Sequence, residues 1–378
     1  MKISILQEAL RPALEKVVKL TNTKTSIPVL SNILFTASDG QLHVSATDLS
    51  IGVTVHLGCK IQEDGAITLP GRLLTDLVAG LPNGIIDIST NDDMSATVKA
   101  GSFDTTIKGI DADEFPNMPM IADRALVAFD GAQLKTAINH VVFAAAKDTT
   151  RPVLAGVHLR LSDVLVALEA ADGFRLSSYE FELLEPVAGL HDFIVPSPAM
   201  AFIAGLINSN DDVVELVATG GQLLFHMEGI DVVTRLVEGT YPDVRSIIPA
   251  EYSTRMVLDV QDIVRGVKLA NPFAGENDNS TLYLDFSGED ATSVLPGSLE
   301  LTTRKSEIGG YKNTIKGITA GTPNKIMVSN EFFLEALKVA GSRQIAIELQ
   351  TGTKPLILKE VGSEGWTHVI MQKTPRGN

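Results

Sequence analysis

The chain has 378 residues, 44% of them apolar, with 46 acidic side chains against 31 lysines and arginines and a net charge of −15. That much apolar material can bury several cores, while the acidic balance speaks against a protein that binds nucleic acid through its average charge. The single cysteine, Cys59, excludes an internal disulfide framework and a thiolate zinc cluster, and the apolar runs fall well short of the roughly 20 residues that span a bilayer. The opening MKISILQEAL lacks the basic start and apolar middle of a signal peptide, so a soluble, cytoplasmic protein is expected.

In chain order, KISI reads as a strand and Gln7–Leu20 as a helix. Leu10, Ala13, Leu14, Val17 and Val18 give that helix an apolar stripe at i, i+3, i+4, i+7 spacing. Its other face carries Arg11, Glu15, Lys16 and Lys19, and Lys24 follows in the loop TNTKTS. NILFTASDGQLHVSATD is a hairpin turning at Asp39-Gly40, and ATDLSIGV follows it. Pro70 opens a second helix with Leu73, Leu74, Leu77 and Val78 as its stripe and Arg72 on its first turn. Strands to Ile110 and the exit DADEFPNMP complete this stretch.

The plan then returns. Strand LVAF leads into a helix over 131–146 with Lys135, the loop KDTTR with Lys147, and the alternating run VLVALE before AADGFRLS at 170–177. Asp172-Gly173 makes a tight turn between two strands. Helix AMAFIAGLI, strands GQLLFHME and VVTRLVEG and the exit YPDVRSIIP follow. The last third has strand RMVLDV, a helix over 260–270 with Arg265 and Lys268, strands TLYLDFS and SLELTT, a helix over 330–340 with Lys338, and three closing strands. The apolar stripes read as core, and the basic helix faces read equally well as solvated surface.

Fixed offsets turn these echoes into a repeat. Asp48 to Asp172 is 124 positions, and Pro28-Val29-Leu30 returns as Pro152-Val153-Leu154 at the same offset. Pro70 matches Pro196, and Phe115-Pro116 matches Tyr241-Pro242, both 126 apart. A third, more diverged copy pairs Asp172 with Lys305 and Pro196 with Ser329 at 133. Three domains of α+β class are therefore expected, at 1–122, 126–249 and 251–378.

No catalytic set emerges. The seven histidines are scattered without metal-ligand spacing, and P-loop, GxGxxG and GxSxG signatures are absent. Asp92-Asp93 and Asp211-Asp212 could hold a metal or work as acid and base, but their matching places between helix and strand read as solvated turns. No cofactor and no metal are expected, and the protein reads as a non-enzyme.

The chain resembles the bacterial DNA polymerase III beta subunits, the processivity clamps of replication. The likeness runs over essentially the whole length through TNTKTSIPVLSNIL, ATDLSIGV, LPGRLLTDLVAGLP, DADEFPN, TRPVLAGVHL, AADGFRLS, IVPSPAM and LVEGTYPDVRSIIP. The resemblance implies a head-to-tail homodimer, a ring of six domains with two helices per domain lining a hole for double-stranded DNA and sheets outside. It also implies tethering of a replicative DNA polymerase, loading by a clamp loader, and docking of other proteins that carry a clamp-binding motif. On that basis the DNA-facing residues are Lys24, Arg11, Lys16, Lys19, Arg72, Lys135, Lys147, Arg265, Lys268 and Lys338. An acidic exterior with a modestly basic lining suits a topological link that slides.

Carried over residue by residue, the partner-peptide pocket comprises Arg151, Val153, Leu154, Gly173, Phe174, Arg175, Leu176, Pro242, Ile247, Phe332, Pro355, Val369 and Met371. For Leu154, Leu176 and Ile247 the residues alone favour ordinary core. Ile107 and Phe273, the latter after the first helix of the third domain, are implied at the dimer joint. The chain departs from the family at Met371-Gln372-Lys373, where a Met-Pro-Met-like or Met-Pro-Val-like ending is usual, at Ser246, where many members have arginine, and at Val153, where some carry an aromatic. Two rival readings remain: an adaptor ring that does not enclose DNA, and a hydrolase built on the Asp pairs.

Overall fold

The computed structural model describes residues 1–21, 26–118, 125–148, 150–208, 213–274, 280–287, 291–305, 309–350 and 354–374. The first third contains β1 (Lys2–Leu6), α1 (Gln7–Val17), β2 (Asn32–Ser38), β3 (Gln41–Thr47), β4 (Ile51–Gly58), β5 (Lys60–Glu63), β6 (Gly65–Pro70), α2 (Gly71–Gly80), β7 (Ile85–Thr90), β8 (Ser95–Ala100) and β9 (Phe103–Lys108). The second contains β10 (Val127–Asp130), α3 (Gly131–Val141), β11 (Gly156–Ala171), β12 (Arg175–Pro196), α4 (Ser197–Leu206), β13 (Val213–Thr219), β14 (Gln222–Met227) and β15 (Ile230–Arg235). The third contains β16 (Thr254–Asp259), α5 (Val260–Ala274), β17 (Thr281–Ser287), β18 (Ala291–Thr302), β19 (Lys312–Gly321), β20 (Asn324–Ser329), α6 (Asn330–Val339), β21 (Gln344–Leu349), β22 (Leu356–Glu360) and β23 (Trp366–Ile370).

Local sequence accounts for most of these elements. α1 buries Gln7, Leu10, Ala13, Leu14 and Val17, the stripe its spacing requires, and a 3-10 turn over Val18–Leu20 extends it. Asp39 and Gly40 both take positive φ, 51° and 78°, the backbone a two-residue hairpin needs for its twist. α5 runs to Ala274, past the expected end at residue 270 and through Pro272, so Phe273 lies in its last turn rather than after the helix. β11 and β12 each do the work of two strands: their pairing runs from Gly156↔Pro196 to Ala171↔Leu176, with register shifts around Asp163 where the hairpin plan predicts separate strands.

Two compact units result, Met1–Ala132 with Gly205–Leu236, and Gln133–Ala204 with Val237–Asn378. The first holds a five-stranded sheet ordered β5-β1-β7-β8-β9 and an eight-stranded sheet ordered β10-β13-β14-β15-β4-β3-β2-β6. The second holds a ten-stranded sheet ordered β11-β12-β23-β22-β21-β16-β19-β18-β17-β20. The units cut across the sequence repeats because the large sheets do so too. β15, from the second repeat, pairs with β4 of the first, and β23, from the third, pairs with β12 of the second. α1 packs on α2, and α5 on α6 over a core that includes Leu258, Phe286, Phe333, Leu358 and Trp366.

These two joints share one register. The pairs Ser45↔Thr54, Glu169↔Ser178 and Thr302↔Lys312 align the repeats, so Val55, Tyr179 and Asn313 are equivalent. Val55 faces Ile230 in the first joint and Tyr179 faces Trp366 in the second. Ile230 and Trp366, which open the last strands of their repeats, are 4% and 1% exposed, whereas Phe103, in the same place on β9, is 55% exposed. β9 ends its sheet, and among the described residues no strand pairs with Lys312–Lys316 on the side away from β18.

The second joint is locked by Trp366, whose indole N–H donates to the His140 carbonyl at 3.1 Å and to Ser177 Oγ at 2.9 Å. Trp366→Phe removes both bonds and leaves a void, so the unfolding midpoint should fall by the equivalent of about 1–3 kcal/mol in urea denaturation. An unchanged midpoint would show that the indole contributes nothing there.

Candidate partner-binding pocket and basic helix faces

The turn between β11 and β12 shapes an apolar platform in the second unit. Asp172 Oδ1 accepts from the amides of Phe174 (2.8 Å) and Arg175 (3.0 Å), and its Oδ2 accepts from Arg175 Nε at 3.0 Å. Gly173 has φ of +92°, and a Cβ there would sit 3.2 Å from an Arg151 guanidinium nitrogen, so both backbone and space favour glycine. Arg151 Nη2 donates to the Asp172 carbonyl at 3.3 Å. This scaffold pushes Phe174 outward, 65% exposed, and the Met371 amide donates to its carbonyl at 2.8 Å. Met371 is 38% and Ile247 43% exposed.

Beneath the turn lies a buried guanidinium. Arg175, 3% exposed, donates from Nη1 to Glu335 of α6 and from Nη2 to the Phe143 carbonyl at 2.7 Å. Its guanidinium carbon lies 4.3 Å from the Phe332 ring centroid, a cation–π contact. Leu154, Leu176 and Val369 belong with Ala171, Ile194, Tyr241 and Val244 to one apolar cluster, with Val153 packed against it. They form a floor rather than an open wall. Pro355 is buried and Pro242 exposed. His368 is fully enclosed between Trp366 and Phe143, and neither ring nitrogen has a hydrogen-bond partner. Burial, with the Arg175 charge adding to it, pushes its pKa down to about 3, so it is neutral at physiological pH.

A second polar cluster supports the floor. Glu169, 3% exposed, accepts from His158 Nδ1 at 3.1 Å and from Arg245, which also pairs with Glu180 at 2.5 Å. His158 Nε2 lies 2.9 Å from Asp192, and its ring stacks on Tyr241 at 4.6 Å. Burial pushes the Glu169 carboxyl up, but the hydrogen bonds from His158 and Arg245 and the charges of Arg245 and Arg160 together hold it below the usual range. Arg245, next to the departure at Ser246, is thereby held by the carboxylates of Glu169 and Glu180.

The described basic candidates are scattered over helix surfaces, except Lys147 in the loop that follows α3. Arg11, Lys19, Arg72, Lys147, Arg265, Lys268 and Lys338 are exposed, and Lys16 and Lys135 are half-buried. Lys24 lies outside the described residues. Arg11 pairs with Glu15 at 2.8 Å and Arg265 approaches Asp262 at 3.8 Å, so both spend part of their charge on their own helix. Glu335, which shares α6 with Lys338, is turned to Arg175 instead.

At the open edges, Ile107 is 5% exposed against its own core, and Phe273 stacks on Tyr311 with ring centroids 6.0 Å apart. Phe103, exposed two places along the same strand face from Thr105, and Leu269, 56% exposed on α5, are the apolar edge residues that the residue-level reading missed. Alternation from Ile107 back to Phe103 was the available signal. An open cavity of about 650 Å³ lies between α5 and β19, lined by Arg265, Leu269, Tyr311, Lys312 and Lys316 among others. Asp92 and Asp93 stand in an exposed turn, and Asp211 and Asp212 lie outside the described residues. Among the described residues no group of three acidic, histidine or cysteine side chains could hold a metal ion, and no helix is long and apolar enough to cross a membrane.

Comparison with known proteins gives these features their family. Three models match in tandem: the N-terminal domain of the DNA polymerase III beta subunit over residues 1–119, the central domain over 128–243 and the C-terminal domain over 245–374. The beta sliding clamp of Staphylococcus aureus strain Mu50 is 25% identical over 379 residues, covering 98% of each chain. That of Bacillus subtilis strain 168 is 26% identical over 383 residues, covering 98% of this chain and 99% of the relative. The solved sliding clamp of Bacillus subtilis superposes with a TM-score of 0.92 at 24% identity over 99% of both chains. The beta subunit of Streptococcus pyogenes gives 0.91 at 22% identity over 99% of this chain and 100% of that one. Strand order, repeated joints and whole-length matches agree: the fold is the three-domain DNA clamp fold, and this chain belongs to the DNA polymerase III beta subunit family.

Proposed function

We propose that this chain is a sliding clamp of DNA replication, a non-enzymatic ring of two copies that encircles duplex DNA and holds the replicative polymerase to it. The repeats are assigned to domains 1–122, 126–249 and 251–378. One observation carries the ring: both joints between successive repeats pair the same strands in the same register. Carried to a second copy, that register sets Phe103 of β9 opposite Asn313 and Thr105 opposite Tyr311, with Asp104 beside Lys312. Phe103 and Tyr311 would then be covered as Ile230 and Trp366 already are. A head-to-tail contact of this kind either closes or grows into a filament, and pairing the edges removes a hazard for aggregation.

Within such a ring these basic side chains are the phosphate contacts: Arg11, Lys16, Lys19, Lys24, Arg72, Lys135, Lys147, Arg265, Lys268 and Lys338. Weak contacts suit the task, because the topological link supplies retention and the contacts must break for sliding. A closed ring needs a separate ATP-driven loader to open it, and a cytoplasmic location follows from the partners. The exposed trio Phe174, Ile247 and Met371 over an apolar floor supports docking of a short peptide from the polymerase or from other partners.

Light scattering should report a dimer, and Phe103→Arg should shift it to monomer at micromolar concentration. Asp104→Lys and Lys312→Asp should each weaken the dimer and together restore it; a double variant weaker than either single change would refute the register. Loaded protein should stay on nicked circular DNA and leave when the circle is cut, whereas equal retention on both forms would favour an adaptor that does not enclose DNA. Phe174→Ala and Met371→Ala should each weaken binding of a polymerase C-terminal peptide about tenfold or more in a fluorescence titration, with dimerisation unchanged.

A further inference from the structure

The outward face of the eight-stranded sheet carries a row of titratable side chains that the clamp function does not use. The strand pairs His43↔His56, Thr54↔Asp231 and His226↔Asp231 bring them together across β3, β4, β15 and β14, with Glu215 of β13 paired to His226. His43 Nδ1 lies 2.8 Å from His56 Nδ1, and the two rings meet edge to face with centroids 4.9 Å apart. His56 Nε2 lies 2.8 Å from Asp231 Oδ2, and His226 Nδ1 lies 2.5 Å from Asp231 Oδ1. The chain therefore bridges the ladder that joins β4 to β15, from strands 175 residues apart.

We propose that His43, His56, Asp231 and His226 form an acid-sensitive clasp on the β4–β15 joint, closed while the two facing imidazoles hold at most one extra proton and opened by the second. One assignment satisfies every contact when the histidines are neutral: His43 Nδ1–H donates to His56 Nδ1, His56 Nε2–H donates to Asp231, and His226 Nδ1–H donates to Asp231. The network itself dictates this assignment. A single added proton leaves the contact intact, since a charged ring can still donate to a neutral one. Two protons cannot be accommodated, because both facing nitrogens then carry hydrogens and two cations meet, and the carboxylates of Asp231 and Asp39 only partly offset them.

The groups facing His43 are His56 from β4, Asp231 from β15 and Asp39 from the β2–β3 turn; His226 and Glu215 lie farther along the row. Burial lowers the His43 pKa, the charge of His56 lowers it further, and Asp231 and Asp39 only partly reverse this. A folded value below the unfolded one, about 6.5, means that the unfolded chain binds more protons in that window. The clasp's contribution to stability is thus complete above about pH 6.5 and is lost as pH falls through the folded value.

The test compares wild type with His43→Gln, whose side-chain amide can still donate to His56 but never becomes a cation. Between pH 7.5 and 5 the fall in Tm should be smaller in the variant by about 2 °C or more, all other titrating groups being shared. An equal fall in both proteins would overturn the clasp. Independently, histidine-labelled wild type followed by NMR should show His43 titrating below about 6.5. Titration of His43 at the ordinary histidine value would overturn it as well.

Discussion

The antiparallel ladder between successive repeats is the constraint on which the rest depends. A β-strand at the end of a sheet presents unpaired amides and carbonyls, and the second and third repeats meet that problem by lending their last strands to the sheet of the repeat before. β15 completes the sheet of β4, and β23 completes that of β12. The consequence is that no repeat is a self-contained module: the compact units of the chain follow the hydrogen-bonded sheets and not the boundaries of the duplicated sequence. Among the described residues, β9 and the Lys312–Lys316 stretch of β19 are left without a second strand partner, and a second copy can satisfy both.

Buried ionic groups are a costly way to build a joint, since each must recover its lost hydration through several well-placed contacts. Arg175, in the second joint, and Glu169, on the neighbouring strand β11, are such groups, and each is engaged on several sides. Arg175 reaches Asp172, Glu335 and the Phe143 carbonyl while lying over Phe332. Glu169 is held by His158 and Arg245. Their directional bonds tie a surface turn to a helix and to a buried strand, which greasy contacts alone do not do. The outcome is an apolar residue, Phe174, held in water by a rigid frame. His368 sits beside this frame with no partner for either nitrogen and stays neutral, so the frame loses no attraction to a second buried cation.

The electrostatics of the helices are more restrained than a count of lysines and arginines suggests. Arg11 and Arg265 lie near carboxylates one turn away, and such exposed pairs contribute little to stability while they dilute the local positive field. For a protein that must release each phosphate to move to the next, a diluted field is suited to the task. The same economy applies to α6, where Glu335 is removed from the surface field by Arg175 and leaves Lys338 exposed at the end of the helix.

Much was legible in the residues. The 124-residue offset, the stripe Leu10–Ala13–Leu14–Val17 and the Asp39-Gly40 turn are local or periodic signals, and local sterics and apolar spacing hold wherever the segment ends up. What the residues concealed was partnership across long separations. Leu154 and Leu176 carried the signature of core and lie in one, while Ile247 carried the same signature and is exposed; hydropathy reports a preference for burial and not its fulfilment. The double-length strands β11 and β12, the exposure of Phe103 and the meeting of His56 with Asp231 were equally hidden. By itself, then, the sequence determined the threefold repeat, its helices and turns and the family. Only the tertiary structure decided which edges stay open, which charges are spent internally and which apolar residues remain in water, because those outcomes depend on hydrogen-bond pairing between strands that no local pattern encodes.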